Sequence, residues 1–132
     1  MKRAVLADST LLYAIADKSD AHHERALEEM HALTRDRREV LFAHPILLEA
    51  YTLILIRMGR NAALNWLSQV ESSVFISPAP ADYRRAIDRV RAFPDQSITL
   101  VDATLAAMAM RLGLQVWTYD HHFDVMGVPV WR

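Results

Sequence analysis

The 132-residue chain has no cysteine, only three glycines, and only two lysines (Lys2 and Lys18) among its 15 basic side chains. Without cysteine it can form neither a disulfide nor a thiolate metal site, which suits a reducing cytoplasm. With so little glycine it has no glycine-rich phosphate loop. No apolar run reaches the roughly 18 residues that a membrane span requires. The opening Met1-Lys2-Arg3-Ala4-Val5-Leu6-Ala7-Asp8 meets an acid too early for a secretory leader. The expectation is a soluble, cytoplasmic protein without a membrane partner.

What is present fits one compact unit spanning 1–132, since 52% hydrophobic residues can fill a core. The formal charge of −1 is uninformative as a total, but 13 of the 15 basic residues are arginine. Arginine's planar fork suits phosphate and carboxylate partners, and ordinary surface solubility explains the count equally well.

Hydrophobic patterning gives an alternation of short strands and helices. Residues 3–8 read as a buried strand ending in an acid, followed by a helix through Leu11, Leu12 and Ile15. Asp20 is placed to cap a helix over 21–34, with Ala26, Leu27, Met30 and Leu33 on one face. The polar segment 35–39 connects to a strand over 40–43. Pro45 then starts a helix that runs to about Arg57 and closes at Gly59. A helix over 61–71 and a strand over 74–76 follow. After Pro78 and Pro80 comes a charged helix with Tyr83, Ile87 and Val90 expected on its inner side. A helix over 99–112 closes at Gly113, and strands are expected at 115–118 and 128–131. This is the pattern of an α/β protein, a three-layer α/β/α sandwich with a parallel sheet of about five strands.

In such a sheet, ligands bind beyond the carboxyl ends of the strands, where the winding reverses. Asp8 ends the first strand, and Asp120 follows the fourth. Taken singly, each reads as a turn former or helix cap. Two helical acids are harder to dismiss. Glu49 is the only charge in Pro45-Ile-Leu-Leu-Glu-Ala-Tyr-Thr-Leu-Ile-Leu-Ile56, and Asp102 has Arg111 as the next charge along its helix. A helix apolar nearly all round is expected to be buried on most sides, and a buried carboxylate is costly unless paired or bound to a metal. Asp102 has a second reading, because Thr99-Leu-Val-Asp102 has the spacing of a capping box. On spacing alone, capping and metal binding stand even.

Asp8, Glu49, Asp102 and Asp120 together form a four-acid set with no basic partner evident in the sequence. Packed together they would repel unless a cation lay between them, and hard oxygen ligands favour Mg²⁺ or Mn²⁺. Such ions activate water and neutralise phosphodiester charge.

The ordered set Ala7-Asp8-Ser9, Leu48-Glu49, Thr99-Leu-Val-Asp102-Ala103 and Thr118-Tyr-Asp120-His-His-Phe123 resembles the PIN domain, and particularly the VapC-type toxins of toxin–antitoxin pairs. Asp20-Ala-His-His23-Glu-Arg-Ala26 and Asp95-Gln-Ser97 are similar to further segments of that family. The resemblance covers essentially the whole chain. It implies that Asp8, Glu49, Asp102 and Asp120 are catalytic and metal-binding, with Ser9 or Thr118 as polar supports. It further implies a Mg²⁺- or Mn²⁺-dependent endoribonuclease acting on single-stranded or loop RNA, a homodimer, and a cognate antitoxin that covers the active site. One departure is that His121 and His122 follow Asp120 where many relatives carry another acid. Asp95 and Asp124 are outside candidates.

His22-His23 and His121-His122 lack zinc-motif spacing, and adjacent helical side chains diverge by about 100°, so surface or packing roles are expected. His44 is expected only to start its helix. Arg84, Arg85, Arg89 and Arg91, or Arg35, Arg37 and Arg38, would suit phosphates, although helical charge runs are usually solvated. Tyr13, Tyr51 and Trp117 are expected in the core rather than stacked on bases. Asp8-Ser9-Thr10 lacks the second Asp of a haloacid-dehalogenase-like phosphatase. The alternatives are a PIN-like RNA- or protein-binding module without nuclease activity, and a metal phosphatase or DNA nuclease on a similar sheet.

Overall fold

Val5–Ala7 forms strand β1, and every one of its residues is buried, as expected for a central strand covered on both faces. The computed structural model describes residues 3–132, so Met1 and Lys2 of the opening segment lie outside the described residues. Helix α1 (Ser9–Ala16) starts directly after β1, because Asp8 is extended and its carboxylate accepts the Ser9 N–H. Helix α2 (His23–Arg35) starts two residues later than Asp20 capping would place it. Asp20 instead closes a turn, accepting the His22 N–H on its side chain at 2.8 Å and the His23 N–H on its carbonyl at 3.0 Å.

Strand β2 (Val40–Ala43) leads into α3 (His44–Met58), with Pro45 in its first turn. Gly59 ends α3 and starts α4 (Arg60–Val70) in a backbone conformation, φ 92° and ψ 173°, that is essentially restricted to glycine. Next come β3 (Phe75–Ile76), α5 (Pro80–Ala92) and α6 (Leu100–Leu112). The chain then forms β4 (Gln115–Trp117) and the short α7 (His122–Val125).

The sheet is parallel, in the order β3-β2-β1-β4, with Val5 opposite Val40 on one side and Gln115 on the other. Among the described residues it has four strands rather than about five. The expected strand at 128–131 shrinks to a single bridge between Val116 and Val130. Pro129 has no N–H to extend a ladder, and only Val116 N–H to Pro129 and Trp131 N–H to Val116 are formed, both at 2.9 Å. Helices α1 to α4 pack on one another, and α5 packs on α6, giving the three layers.

Two helices differ from expectation in the face they bury. On α5 the buried residues are Asp82 and Ala86, and Val90 packs partly buried against the core as expected, while Tyr83 and Ile87 are exposed. The helix is rotated by an ion pair in which Arg111 of α6 reaches Asp82 at 2.7 Å. Asp82 also accepts the Ala79 N–H at 2.7 Å, fixing the start of the helix. On α3 the stripe Ile46, Ala50 and Ile54 is buried, but Leu48 is 68% and Ile56 75% exposed. That helix meets α1, α4 and β2, so it is not buried on most sides and its far face stays open.

Candidate active site

The winding reverses beside β1. The chain leaves β1 for β2 and β3 on one side, then returns by α5 and α6 to β4 on the other. The crevice at such a reversal is where open α/β sheets place their sites. Here the loops after β1 and β4 are tied together, with the Asp8 N–H donating to Trp117 at 3.0 Å and the Thr118 hydroxyl to Asp8 Oδ2 at 2.9 Å.

Asp8 is 2% exposed and held by four groups. Its Oδ1 takes the Ser9 N–H at 2.7 Å, with the Ser9 hydroxyl at 3.4 Å, and its Oδ2 takes the hydroxyls of Thr10 at 3.0 Å and Thr118. Burial raises its pKa and the nearby Glu49 charge adds to the rise, against the opposing hydrogen bonds from Thr118, Thr10 and Ser9. Glu49, on α3, accepts a hydrogen bond from the Ser9 hydroxyl, so one serine bridges two of the acids.

Asp102 lies in the first turn of α6. Its N–H is capped by the Thr99 hydroxyl at 3.1 Å. Only this half of the capping box forms: among the described residues the Thr99 N–H does not reach back to the Asp102 carboxylate, and a hydrogen bond from the Thr99 side chain is the smallest influence on it. The carboxylate is therefore not consumed by the cap. It is 8% exposed. Burial first, then the charges of Asp8, Asp120 and Glu49, push its pKa up to about 8. Asp120 follows β4, its N–H bound to the Thr118 hydroxyl at 3.0 Å and its Oδ1 accepting the His122 N–H at 2.9 Å.

All four predicted acids thus reach one crevice, with Asp102 feeling the other three. Among the described residues no arginine or lysine pairs with Asp8, Glu49 or Asp102. No three of the four come as close as the ligating atoms of Asp120, His121 and His122, which lie within 4.8 Å of one another. Carboxylates without a counter-charge hold apart in this way. An all-oxygen set that is buried at Asp8 and Asp102, half-buried at Glu49 and Asp120, and mutually repelling fits a hard divalent cation.

Of the outside candidates, Asp124 lines a cleft together with Asp120. Asp124 pairs with Arg132 at 2.7 Å, and Asp95 is exposed. Tyr13 and Trp117 are buried and Tyr51 is partly buried. His23 packs with Nδ1 2.7 Å from the Ala14 carbonyl, and His44 pairs with Ser77 at 2.9 Å. Arg85, Arg89 and Arg111 line a cleft of about 360 Å³ with Met110, toward the end of α6 opposite Asp102. Two supports escaped the sequence reading. The Thr10 hydroxyl on Asp8 was signalled only by its position two residues on. Glu29 of α2 accepts from Trp117 Nε1 at 3.2 Å and from the Tyr119 hydroxyl, anchoring the strand and loop that carry Thr118 and Asp120. That contact spans 90 residues and leaves no local signal.

Comparison with known proteins gives three kinds of result. A family model described as PIN domain matches residues 5–129. No curated protein matches the sequence. Among solved structures, the VapC20 toxin of Mycobacterium tuberculosis, described as cleaving the sarcin–ricin loop, superposes with a TM-score of 0.83 at 21% identity, covering 97% of this chain and 98% of that one. A chain of VapBC2 from Rickettsia felis, bound to a DNA fragment from its promoter, gives 0.76 at 10% identity over 98% and 97%. FitAcB from Neisseria gonorrhoeae gives 0.71 at 16% identity over 97% and 96%.

Proposed function

The chain belongs to the PIN-domain family, and from that premise we propose that it is a Mg²⁺- or Mn²⁺-dependent endoribonuclease, cutting single-stranded or looped RNA in the cytoplasm as the toxin of a toxin–antitoxin pair. One observation carries the chemistry. Asp102 is a buried carboxylate with no arginine or lysine partner among the described residues, pushed up to about 8 by burial and three neighbouring acids. Asp8, Glu49, Asp102 and Asp120 would hold the ion. When bound, the ion would supply an activated water and a counter-charge for the phosphate.

The rest of the work falls to the chain itself. Asp8 is immobilised by Ser9, Thr10 and Thr118, so its carboxylate cannot swing toward solvent. Ser9 fixes the spacing of Asp8 from Glu49. Thr118 positions Asp8 with its proton and Asp120 with its lone pair. Such prior fixing is what lets a charged site act without reorganising.

The toxin role is supported by the likeness to VapC20, described as cleaving a loop, and to VapBC2 and FitAcB. The partners would be RNA, a cognate antitoxin and a second copy of the chain. No helix among the described residues is long and apolar enough to cross a membrane.

The test is cleavage of an RNA stem-loop, with matched DNA and a phosphomonoester alongside, by the wild type and by Asp8→Asn. The wild type should cut only the RNA, only with Mg²⁺ or Mn²⁺, and the variant should lose at least a hundredfold while its circular dichroism stays unchanged. Undiminished cleavage by the folded variant would refute the assignment. A wild type inert on every substrate would favour a binding module.

A further inference from the structure

The imidazoles of His121 and His122 have no role in the proposed cleavage, and their geometry is not that of two diverging side chains. Their rings lie with centroids 4.4 Å apart, tilted by 39°. Both turn Nδ1 toward the same carboxylate oxygen, Asp120 Oδ1, at 3.3 Å for His122 and 3.7 Å for His121. Neither imidazole hydrogen-bonds to that oxygen among the described residues; Oδ1 takes the His122 backbone N–H instead. The two ring nitrogens thus converge on an acceptor without being committed to it.

The spacing is that of a metal's ligands. Zinc binds nitrogen and oxygen at about 2.0–2.2 Å, so the edges of its tetrahedron are roughly 3.3–3.6 Å. The two separations, 3.3 and 3.7 Å, fall at or near that edge length. A cleft of about 180 Å³ lined by Thr118, Asp120 and His121 opens beside them, leaving room for further ligands. Two guanidiniums share the cleft but are already held, Arg25 by Glu29 at 3.7 Å and Arg132 by Asp124 at 2.7 Å. His121 is 73% exposed and His122 16%, so an ion can enter from solvent on the His121 side.

The geometry points to a second divalent-cation site at Asp120, His121 and His122, taking a borderline ion such as Zn²⁺ in preference to Mg²⁺. Imidazole donors favour zinc, cobalt, nickel and copper, whereas the carboxylates of the four-acid set favour magnesium and manganese. The two sites share Asp120. An ion held by the histidines withdraws Oδ1 from the acid cluster, so micromolar zinc acts as a brake on Mg²⁺-dependent cleavage. The site stands on its own geometry; the brake rests on the nuclease reading.

The experiment follows the histidine side chains by nitrogen–proton correlation while ZnCl₂ is added to the full chain. His121 and His122 should shift together and saturate at one equivalent. Calorimetry should show at least tenfold weaker Zn²⁺ binding for His121→Gln, whose exposed position leaves the fold undisturbed, and for the double variant His121→Ala/His122→Ala. Shifts confined to His22, His23, His31 or His44, or unchanged zinc affinity in His121→Gln, would overturn the site. In the cleavage assay, one equivalent of zinc should suppress wild-type activity and spare that of His121→Gln. Zinc bound at the histidines with cleavage undiminished would overturn the shared role of Asp120. If the protein proves inert on RNA, the nuclease reading fails while the spectra still decide the metal site.

Discussion

At Asp102, burial and three neighbouring carboxylates act in the same direction, and the hydrogen bond from Thr99 that opposes them is the smallest influence. Its pKa in the fold is about 8 against an ordinary 3.8. The folded protein therefore keeps the proton longer than the unfolded chain does. The stability this provides is fully present below about pH 4 and is lost as pH rises through about 8. The metal-free protein should accordingly weaken from pH 4 to pH 8.5, and Asp102→Asn should escape that loss. Differential scanning calorimetry should find the variant's Tm above that of the wild type by roughly 5 °C at pH 8.5, the equivalent of about 1–2 kcal/mol, and nearly equal at pH 4. Glu49 and Asp102 were legible in the sequence because each is a lone charge in an apolar helix. Asp82 was not, since in a helix rich in charge it looks like any solvated acid. Arg111, 29 residues away, does most to make its burial tolerable, and that guanidinium, helped by the Ala79 N–H, holds the Asp82 carboxyl below its usual range.

Among the elements, the punctuation at Gly59, Gly113 and Pro45 was legible in the sequence, whereas the positive φ of Gly127 was not. Gly59 and Gly113 stop α3 and α6, at φ 92° and 67°, and Pro45 opens α3. Gly59 carries the tighter constraint, because it must end one helix and begin the next in a region closed to side chains. Gly59→Ala should destabilise the protein by about 2 kcal/mol in urea unfolding, although an added Cβ would touch nothing within 4 Å. An unchanged midpoint would show that the α3–α4 corner relaxes at no cost. Helix rotation was less legible. Tyr83 and Ile87 suggested the inner face of α5 by their apolarity, yet the ion pair at Asp82 turns them outward. Likewise the helical rule that adjacent side chains diverge does not describe His121 and His122, whose Nδ1 atoms both face the carboxylate beside them. Such facts depend on partners distant in sequence or on local loop geometry, which periodicity does not carry.

For the molecule as a whole, the parallel sheet and its reversal beside β1 are what bring acids from positions 8, 49, 102 and 120 to one crevice. The alternation of strands and helices made that architecture legible, down to the strand ends where Asp8 and Asp120 emerge. The edge of the sheet was not, because a single prolyl nitrogen reduces the last strand to a bridge. Nor was the open face of α3, since an all-apolar helix reads as buried whether a neighbouring element or a partner chain covers it. In the proposed site, four acids from different parts of the chain would hold a hard divalent cation. Calorimetric titration with Mg²⁺ addresses the oxygen ligands without engaging the histidines. The wild type should take up Mg²⁺, and Asp8→Asn, Glu49→Gln, Asp102→Asn and Asp120→Asn, each folded, should bind it at least tenfold more weakly. Full-strength Mg²⁺ binding in those variants would contradict a cation site built from the four acids.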